Sequence, residues 1–200
     1  MLTYKKVSIF LLALGTALIF FAIGGCSDAL AFGRPRQRDP ETLTDNRAPV
    51  PIATVKQYQY KASSEFSGAE RADLSEAEAL LNRVVRSSCF RAQVLARDMA
   101  QKKGYSNEGI LRVINGNAPT LNVEKYREDP LVVAYFDSGD NTIYVNRRSY
   151  MVHERCSQAA TLLHETMHYY GFEHDEEETN RRQYSVPYQI GEAVLECCGS

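Results

Sequence analysis

The sequence predicts an α+β domain in which a small β-hairpin packs against a helix that carries the candidate site. Apolar residues recur at helical spacing before residue 104 and again over residues 156–170. Between these segments lie two runs rich in β-branched and aromatic residues, 131–136 and 142–146, separated by a short polar turn that contains Gly139. Helical and β segments are therefore segregated along the chain, which is the α+β pattern.

The first helical pattern begins near Leu74. Ser75 is a candidate N-cap, and Glu76 and Glu78 place negative charge in the first turn, where the helix dipole favours it. Apolar residues then recur at near-helical spacing as far as Gly104, namely Leu81, Val84, Val85, Cys89, Leu95 and Met99. We expect this stripe to face the core.

Two further helices are predicted, one on each side of the hairpin. Residues 107–114 form a short helical segment, which Gly116 and Pro119 bring to an end. After the hairpin, residues 156–170 form a helix with one apolar stripe, made of Cys156, Ala160, Leu163 and Met167. This stripe is expected to pack on the rest of the domain.

The N-terminal segment has the pattern of an export signal. Lys5 and Lys6 form a basic start, and residues 7–23 are apolar and free of charge. The following Ile23-Gly24-Gly25-Cys26 resembles the bacterial lipobox, in which the cysteine receives lipid and becomes the mature N-terminus. The resemblance implies a signal peptide over residues 1–25 and an exported lipoprotein. Lipid on Cys26 would hold it to a membrane, facing the periplasm or the cell exterior.

Two alternatives for this segment stay open. The apolar stretch is nearly long enough to remain in the bilayer as an anchor, and Ala29-Leu30-Ala31 offers an ordinary signal-peptidase site. All three interpretations put the remaining chain outside the cytoplasm. Residues 26–68 are polar and Pro-interrupted, which predicts a flexible tether whose part near residues 52–60 can add a strand to the domain. The folded domain is expected over residues 69–200.

Four cysteines remain besides Cys26, an even number in a compartment that permits disulfides. Adjacent cysteines rarely pair with each other, so we expect Cys197 or Cys198, or both, to reach back toward Cys89 or Cys156. The alternative is that Cys89 and Cys156 are small buried apolar residues.

Charge and composition exclude one class of partner. The formal net charge is -2 and the basic residues are scattered along the chain, so nothing predicts a nucleic-acid surface.

The chemistry concentrates in the last predicted helix. His164 and His168 are four residues apart, so both side chains leave the same face of a helix and can converge on one metal ion. Glu165 is turned about 100° around the axis, where it can reach a water on the metal without being a ligand. This is the H-E-x-x-H arrangement, in which Zn²⁺ acidifies the water and the glutamate takes its proton.

The pattern continues beyond the helix. Gly171 can end the helix in the left-handed conformation, and the chain can then return His174 toward the metal as a third ligand. The full string resembles the signature of the metzincin metallopeptidases. This resemblance covers roughly residues 131–188 and implies a zincin-like domain. It also implies that an extended peptide lies along a sheet edge, for which residues 142–146 are the matching run.

The chain departs from the metzincin pattern at one point. Metzincins carry a Met-containing turn beneath the zinc, and this chain has no Met after Met167. Val186 stands in the Met slot, and Tyr188 matches a tyrosine that some metzincins place near the metal, which implies an oxyanion-stabilising role for Tyr188. The departure leaves a second ligand scheme open, in which Glu192 replaces His174 as the third ligand.

The acidic run 173–178 around His174 is expected to form a solvated loop, with orientation of a ligand histidine by Asp175 as an alternative.

The expected function is zinc-dependent hydrolysis of peptide bonds in a peptide or protein substrate, with Glu165 as general base. Two other functions stay open: a non-catalytic zinc-binding envelope lipoprotein, and a zinc hydrolase that acts on cell-wall peptides.

Overall fold

The computed structural model describes residues 56–127, 132–175, 179 and 181–199. The predicted signal peptide, the lipobox with Cys26 and most of the predicted tether lie outside these residues. Within the described part of the chain, no helix has both the length and the apolar character needed to cross a membrane.

The α+β class is confirmed. The described residues form five α-helices and four β-strands around a main hydrophobic core, with a second, smaller cluster of Tyr126, Val132 and Tyr135. The helices are α1 (Gly68–Val84), α2 (Ser88–Ala96), α3 (Asn107–Gly116), α4 (Arg155–Tyr169) and α5 (Val186–Cys197). The strands are β1 (Gln59–Ala62), β2 (Thr120–Tyr126), β3 (Ala134–Asp137) and β4 (Thr142–Asn146).

Helix α1 begins earlier than predicted. Ser67 is its N-cap and forms a capping box with Glu70, whose carboxylate accepts a hydrogen bond of 2.7 Å from the Ser67 amide. The prediction that Ser75 caps the helix is wrong. Ser75 and Glu78 have the same spacing as Ser67 and Glu70, so local sequence does not separate the two starts. The carboxylate of Glu78 instead accepts a hydrogen bond of 2.7 Å from the Tyr60 amide on β1.

The helical pattern predicted as far as Gly104 is interrupted. Helix α1 ends at Val84, and Ser87 caps the new helix α2 by accepting a hydrogen bond of 3.1 Å from the Phe90 amide. The residues after Ala96 leave the helix, and Leu95 from the predicted apolar stripe is exposed. The predicted helices at 107–114 and 156–170 are confirmed as α3 and α4.

The four strands form one mixed sheet in the order β1-β2-β4-β3. β1, β2 and β4 are parallel, and β3 pairs with β4 as the predicted antiparallel hairpin. No strand is predicted for β2, although Leu121 and Val123 alternate there with polar residues. β1 lies in the predicted tether and pairs with β2, but it overlaps the strand expected near residues 52–60 only at residues 59–60, and residues 52–55 lie outside the described part of the chain.

The predicted sheet edge is wrong. β4 (residues 142–146) has strands on both sides, and the edge beside it is β3. The hairpin pattern alone cannot decide which of its two strands pairs with a third. Four of the five β4 residues are buried, which is typical of an interior strand covered on both faces.

Helix α4 lies at the centre of the packing. It contacts α1, α5 and β3, and every residue from 158 to 168 is buried. Its fully buried apolar side chains Leu162, Leu163 and Met167 belong to the main core. The helix that carries the candidate site is therefore held from several sides.

Two disulfides hold the end of α5. Cys89 on α2 pairs with Cys197, and Cys156 on α4 pairs with Cys198. The prediction that the adjacent cysteines reach back is confirmed for both, and the alternative of unpaired buried cysteines is wrong.

Removing the Cys156–Cys198 bridge by a double Cys→Ala substitution should lower the free energy of unfolding by about 4 kcal/mol. The bridge closes a loop with a sequence separation of 42 residues, so its loss raises the entropy of the unfolded chain. Urea unfolding without reductant measures this. The matched Cys89/Cys197 double variant should lose slightly more, because its separation is 108 residues. Equal stability of wild type and both variants would contradict the prediction.

Candidate metal centre

Three histidines predicted from the motif come together in the fold. His164 and His168 lie one turn apart on α4, and His174 follows after the helix has ended. One nitrogen from each ring can serve as a ligand atom, and these three atoms lie within 4.8 Å of one another. Among the described residues this is the group that can hold a metal ion.

The return of His174 depends on the turn at the end of α4. Gly171 has a φ of +83°, and its amide donates to the His168 carbonyl at 2.8 Å. The Phe172 amide donates to the Met167 carbonyl at 3.0 Å, which completes a Schellman motif. Phe172 is buried and packs edge-to-face against Tyr105. The chain is thus reversed and anchored just before His174.

Hydrogen bonds to the backbone orient two of the rings. Nδ1 of His168 lies 2.9 Å from the Phe172 carbonyl oxygen, and Nδ1 of His174 lies 3.1 Å from the Asp175 carbonyl oxygen. Because a carbonyl oxygen only accepts, each Nδ1 carries a hydrogen, and Nε2 is the nitrogen that keeps a lone pair in the neutral ring. Within the described chain, the buried Nε2 of His174 has no hydrogen-bond partner.

Burial also keeps two of these rings neutral. Desolvation is the main cause that lowers the pKa of His164 well below its ordinary value, and the nearby charges of His168, His174 and Arg182 add to it. Desolvation and the charge of His168 likewise lower the pKa of His174 to about 4. At neutral pH both rings therefore offer a lone pair, as metal binding requires.

Glu165 is fully buried, with 0% of its surface exposed. Desolvation raises its pKa to about 7, although the charge of His168 and the backbone of Phe136 act in the opposite direction. The Phe136 interaction falls short of a full hydrogen bond, because neither carboxylate oxygen has a hydrogen-bond partner among the described residues. A carboxylate poised near neutral pH beside the edge strand β3 is suited to accept and return a proton.

Tyr188 lies where the sequence predicts it, against the histidines. Its ring centroid is 4.7 Å from that of His164 and 5.0 Å from that of His174. Val186, in the Met slot, is fully buried at the start of α5. Arg182 donates a hydrogen bond of 3.0 Å from Nε to the Tyr188 hydroxyl oxygen. No spacing in the sequence singles out Arg182, which is brought to the site by the turn that precedes α5.

The alternative ligand Glu192 is not part of the cluster. Its carboxylate is half exposed and pairs with Arg97 at 3.1 Å, so it is a surface residue of α5. Asp175 does orient one of the histidines, but through its backbone carbonyl, which lies 3.1 Å from His174 Nδ1. Its carboxylate accepts from Gln101 at 2.7 Å and from Thr179 at 2.5 Å. The carboxylate that approaches a ligand histidine is that of Glu173, 3.6 Å from His168 Nδ1.

The donor set fits zinc. Neutral imidazoles are common zinc ligands, and three protein ligands with a further open position are typical of catalytic sites. The ring centroid of His174 lies 5.5 Å from that of His164 and 4.8 Å from that of His168, and a bound cation would explain why its buried Nε2 has no hydrogen-bond partner among the described residues. No protein-family model matches the chain, and no curated protein is significantly similar to it.

Replacing Gly171 by alanine should lower the free energy of unfolding by about 1–2 kcal/mol, since a Cβ is strained at a φ of +83°. It should also weaken zinc binding, because His174 follows this turn. Thermal unfolding and zinc titration measure the two effects. Gly116→Ala is the matched control: its Cβ meets nothing within 4 Å and lies in a helix, where alanine is favoured. Unchanged zinc affinity in Gly171→Ala would show that the turn does not place His174.

Glu165 should make the stability of the metal-free protein depend on pH. Its folded-state pKa of about 7 lies above the ordinary 4.5, so the folded protein keeps a proton that the unfolded chain has lost. Stability from this group is present below pH 4.5 and falls by up to about 1.4 kcal/mol per pH unit until pH 7.

Urea unfolding of wild type and Glu165→Gln in EDTA measures this contribution. The free energy of unfolding of the variant minus that of wild type should rise between pH 4.5 and 7 and stay constant above that range. Both proteins contain the same histidines, so the titrations that are not coupled to Glu165 cancel in the difference. A difference in the free energy of unfolding that does not change with pH would contradict the raised pKa of Glu165.

Proposed function

We propose that this chain is a zinc-dependent, metzincin-like peptidase that acts on a peptide or protein substrate outside the cytoplasm. The observation that carries the proposal is the convergence of the ligand atoms of His164, His168 and His174 within 4.8 Å, on the helix that also bears the buried Glu165. A zinc ion held by these histidines supplies a Lewis acid for the scissile carbonyl and for the attacking water.

The protein's own groups account for the proton transfers. Glu165 takes a proton from the attacking water and passes it to the amine that leaves, for which a pKa of about 7 is well matched at neutral pH. Its carboxylate oxygens have no hydrogen-bond partner among the described residues, so no protein group there competes for the proton that they would accept. A purely structural zinc site has no use for such a carboxylate, and it normally closes with four protein ligands rather than three.

The edge strand β3 supports a peptide as the substrate. Among the described strands, β3 has a partner on one side only, which leaves backbone groups for an extended chain to pair with. Phe136 on this strand interacts through its backbone with Glu165, so a peptide along β3 passes beside the general base. The edge is β3 rather than the run at 142–146, yet the same kind of recognition follows.

The location outside the cytoplasm is supported by the two disulfides, which persist in oxidising compartments. Export by a signal peptide over residues 1–25 and lipid attachment at Cys26 stay predictions from the sequence.

The proposal is tested by zinc content and by cleavage of casein and a peptide library, both measured on the full-length chain. Wild type should hold one zinc ion per chain and cleave. Glu165→Gln should keep zinc and lose activity by about 10²- to 10⁴-fold, because the proton acceptor is gone. His174→Ala should weaken zinc binding by at least about 100-fold, because a ligand is gone.

Glu192→Gln is the matched control, since it makes the same chemical change in an exposed carboxylate of α5. It should keep both zinc and activity. Zinc binding without cleavage of any protein or peptide would favour the non-catalytic site, and cleavage confined to cell-wall peptides would favour the third function. A chain that binds no zinc would reject all three.

A further inference from the structure

A buried guanidinium lies directly behind the tyrosine of the metal centre. Only 6% of the surface of Arg182 is exposed, and its Nε donates to the Tyr188 hydroxyl oxygen at 3.0 Å. The guanidinium carbon also lies 5.5 Å from the centroid of the Tyr188 ring. Because this ring packs against His164 and His174, one side chain separates Arg182 from two of the three ligands.

The direction of this hydrogen bond decides what the hydroxyl can do. A guanidinium carries donors and no acceptor, so the Tyr188 oxygen accepts and its own hydrogen cannot point at Arg182. The hydroxyl hydrogen therefore points toward a group other than Arg182. A charged donor also polarises the phenol and makes it a stronger hydrogen-bond donor.

The backbone fixes the two side chains relative to each other. Arg182 stands on a 3₁₀ turn whose carbonyl accepts a hydrogen bond of 3.0 Å from the Ser185 amide, the N-cap of α5. The Ala100 amide donates to the Tyr184 carbonyl at 2.6 Å and ties this turn to the segment after α2. The pair is thus part of a hydrogen-bonded unit that leads into α5.

We propose that Arg182 is a positioning residue, which holds Tyr188 so that its hydroxyl donates a hydrogen bond to the scissile carbonyl oxygen as negative charge develops there. The proton stays on Tyr188 throughout, and the contribution is electrostatic. The inference rests on the proposed function, and it adds the residue that sets the orientation of the donor.

A double-mutant cycle on the full-length, zinc-loaded chain tests the inference, with Arg182→Gln, Tyr188→Phe and the double variant. Each single substitution should lower kcat by about 10- to 100-fold and leave KM within about 3-fold, because the interaction is made in the transition state. The double variant should match the kcat of Tyr188→Phe within about 3-fold, since the proposed effect of Arg182 on the transition state passes through Tyr188. If the kcat losses of the two single variants multiply in the double variant, or if only KM changes, the inference is overturned.

Two further variants separate positioning from folding. Arg181→Gln removes the same charge from the neighbouring exposed residue and should leave kcat unchanged. An equal loss in this control would show a general charge effect and reject the role of Arg182. Arg182→Lys keeps a charged donor and should recover part of the loss. If Arg182→Gln fails to fold in thermal unfolding, the same cycle is built on Arg182→Lys, whose loss should vanish in the Tyr188→Phe background. A loss that persists in that background overturns the inference.

Binding of a phosphinic peptide, whose anionic oxygen mimics the developing charge, gives a second reading that does not depend on turnover. Calorimetry should show weaker binding for Arg182→Gln and Tyr188→Phe, and no further loss in the double variant. If wild type binds the phosphinic peptide without cleaving peptides, the proposed function is contradicted, and the binding cycle still tests the role of Arg182. If wild type cleaves peptides but the losses of the two single variants multiply in the double variant, only the role of Arg182 is rejected. Absence of both cleavage and binding rejects both.

Discussion

The burial of helix α4 is the constraint on which the rest of the structure depends. From residue 158 to 168 every side chain is buried, including several polar ones, and a buried polar group is destabilising unless it has a partner. The supporting residues find theirs: Gln158 donates to the Tyr150 carbonyl, and Thr166 bonds to the Leu162 carbonyl and to the Tyr60 hydroxyl. The carboxylate of Glu165 has no hydrogen-bond partner among the described residues, and its dry surroundings raise its pKa, while burial lowers the pKa of His164.

The remaining elements hold this helix in place and complete its site. Gly171 reverses the chain so that His174 meets the two histidines of α4, and α5 brings Tyr188 against the same rings. Two disulfides tie the end of α5 to α2 and to the start of α4. The turn that carries Arg182 lies before the other end of α5. A site assembled from separate segments is thereby kept in one geometry.

Much of the site was predictable because its information is local. The spacing of His164 and His168 on a helix, and a glycine three residues later, depend only on backbone geometry that any helix shares. Arg182 was not predictable, since its contact with Tyr188 exists only after the turn before α5 has formed. The start of α1 was equally undecided, because Ser67 and Ser75 both precede a glutamate at capping-box spacing.

The sequence by itself determined the α+β class, the hairpin, the placement of His164 and His168 on one face of a helix and the reach of the C-terminal cysteines, because each follows from residue type and short-range spacing. The tertiary structure alone decided that β3 is the edge strand and that β4 is interior, since this depends on the pairing of β4 with β2. It also decided which cysteine pairs with which, and that Glu192 faces Arg97 rather than the histidines. These choices join residues distant in the chain, where only the packing of whole elements separates one alternative from another.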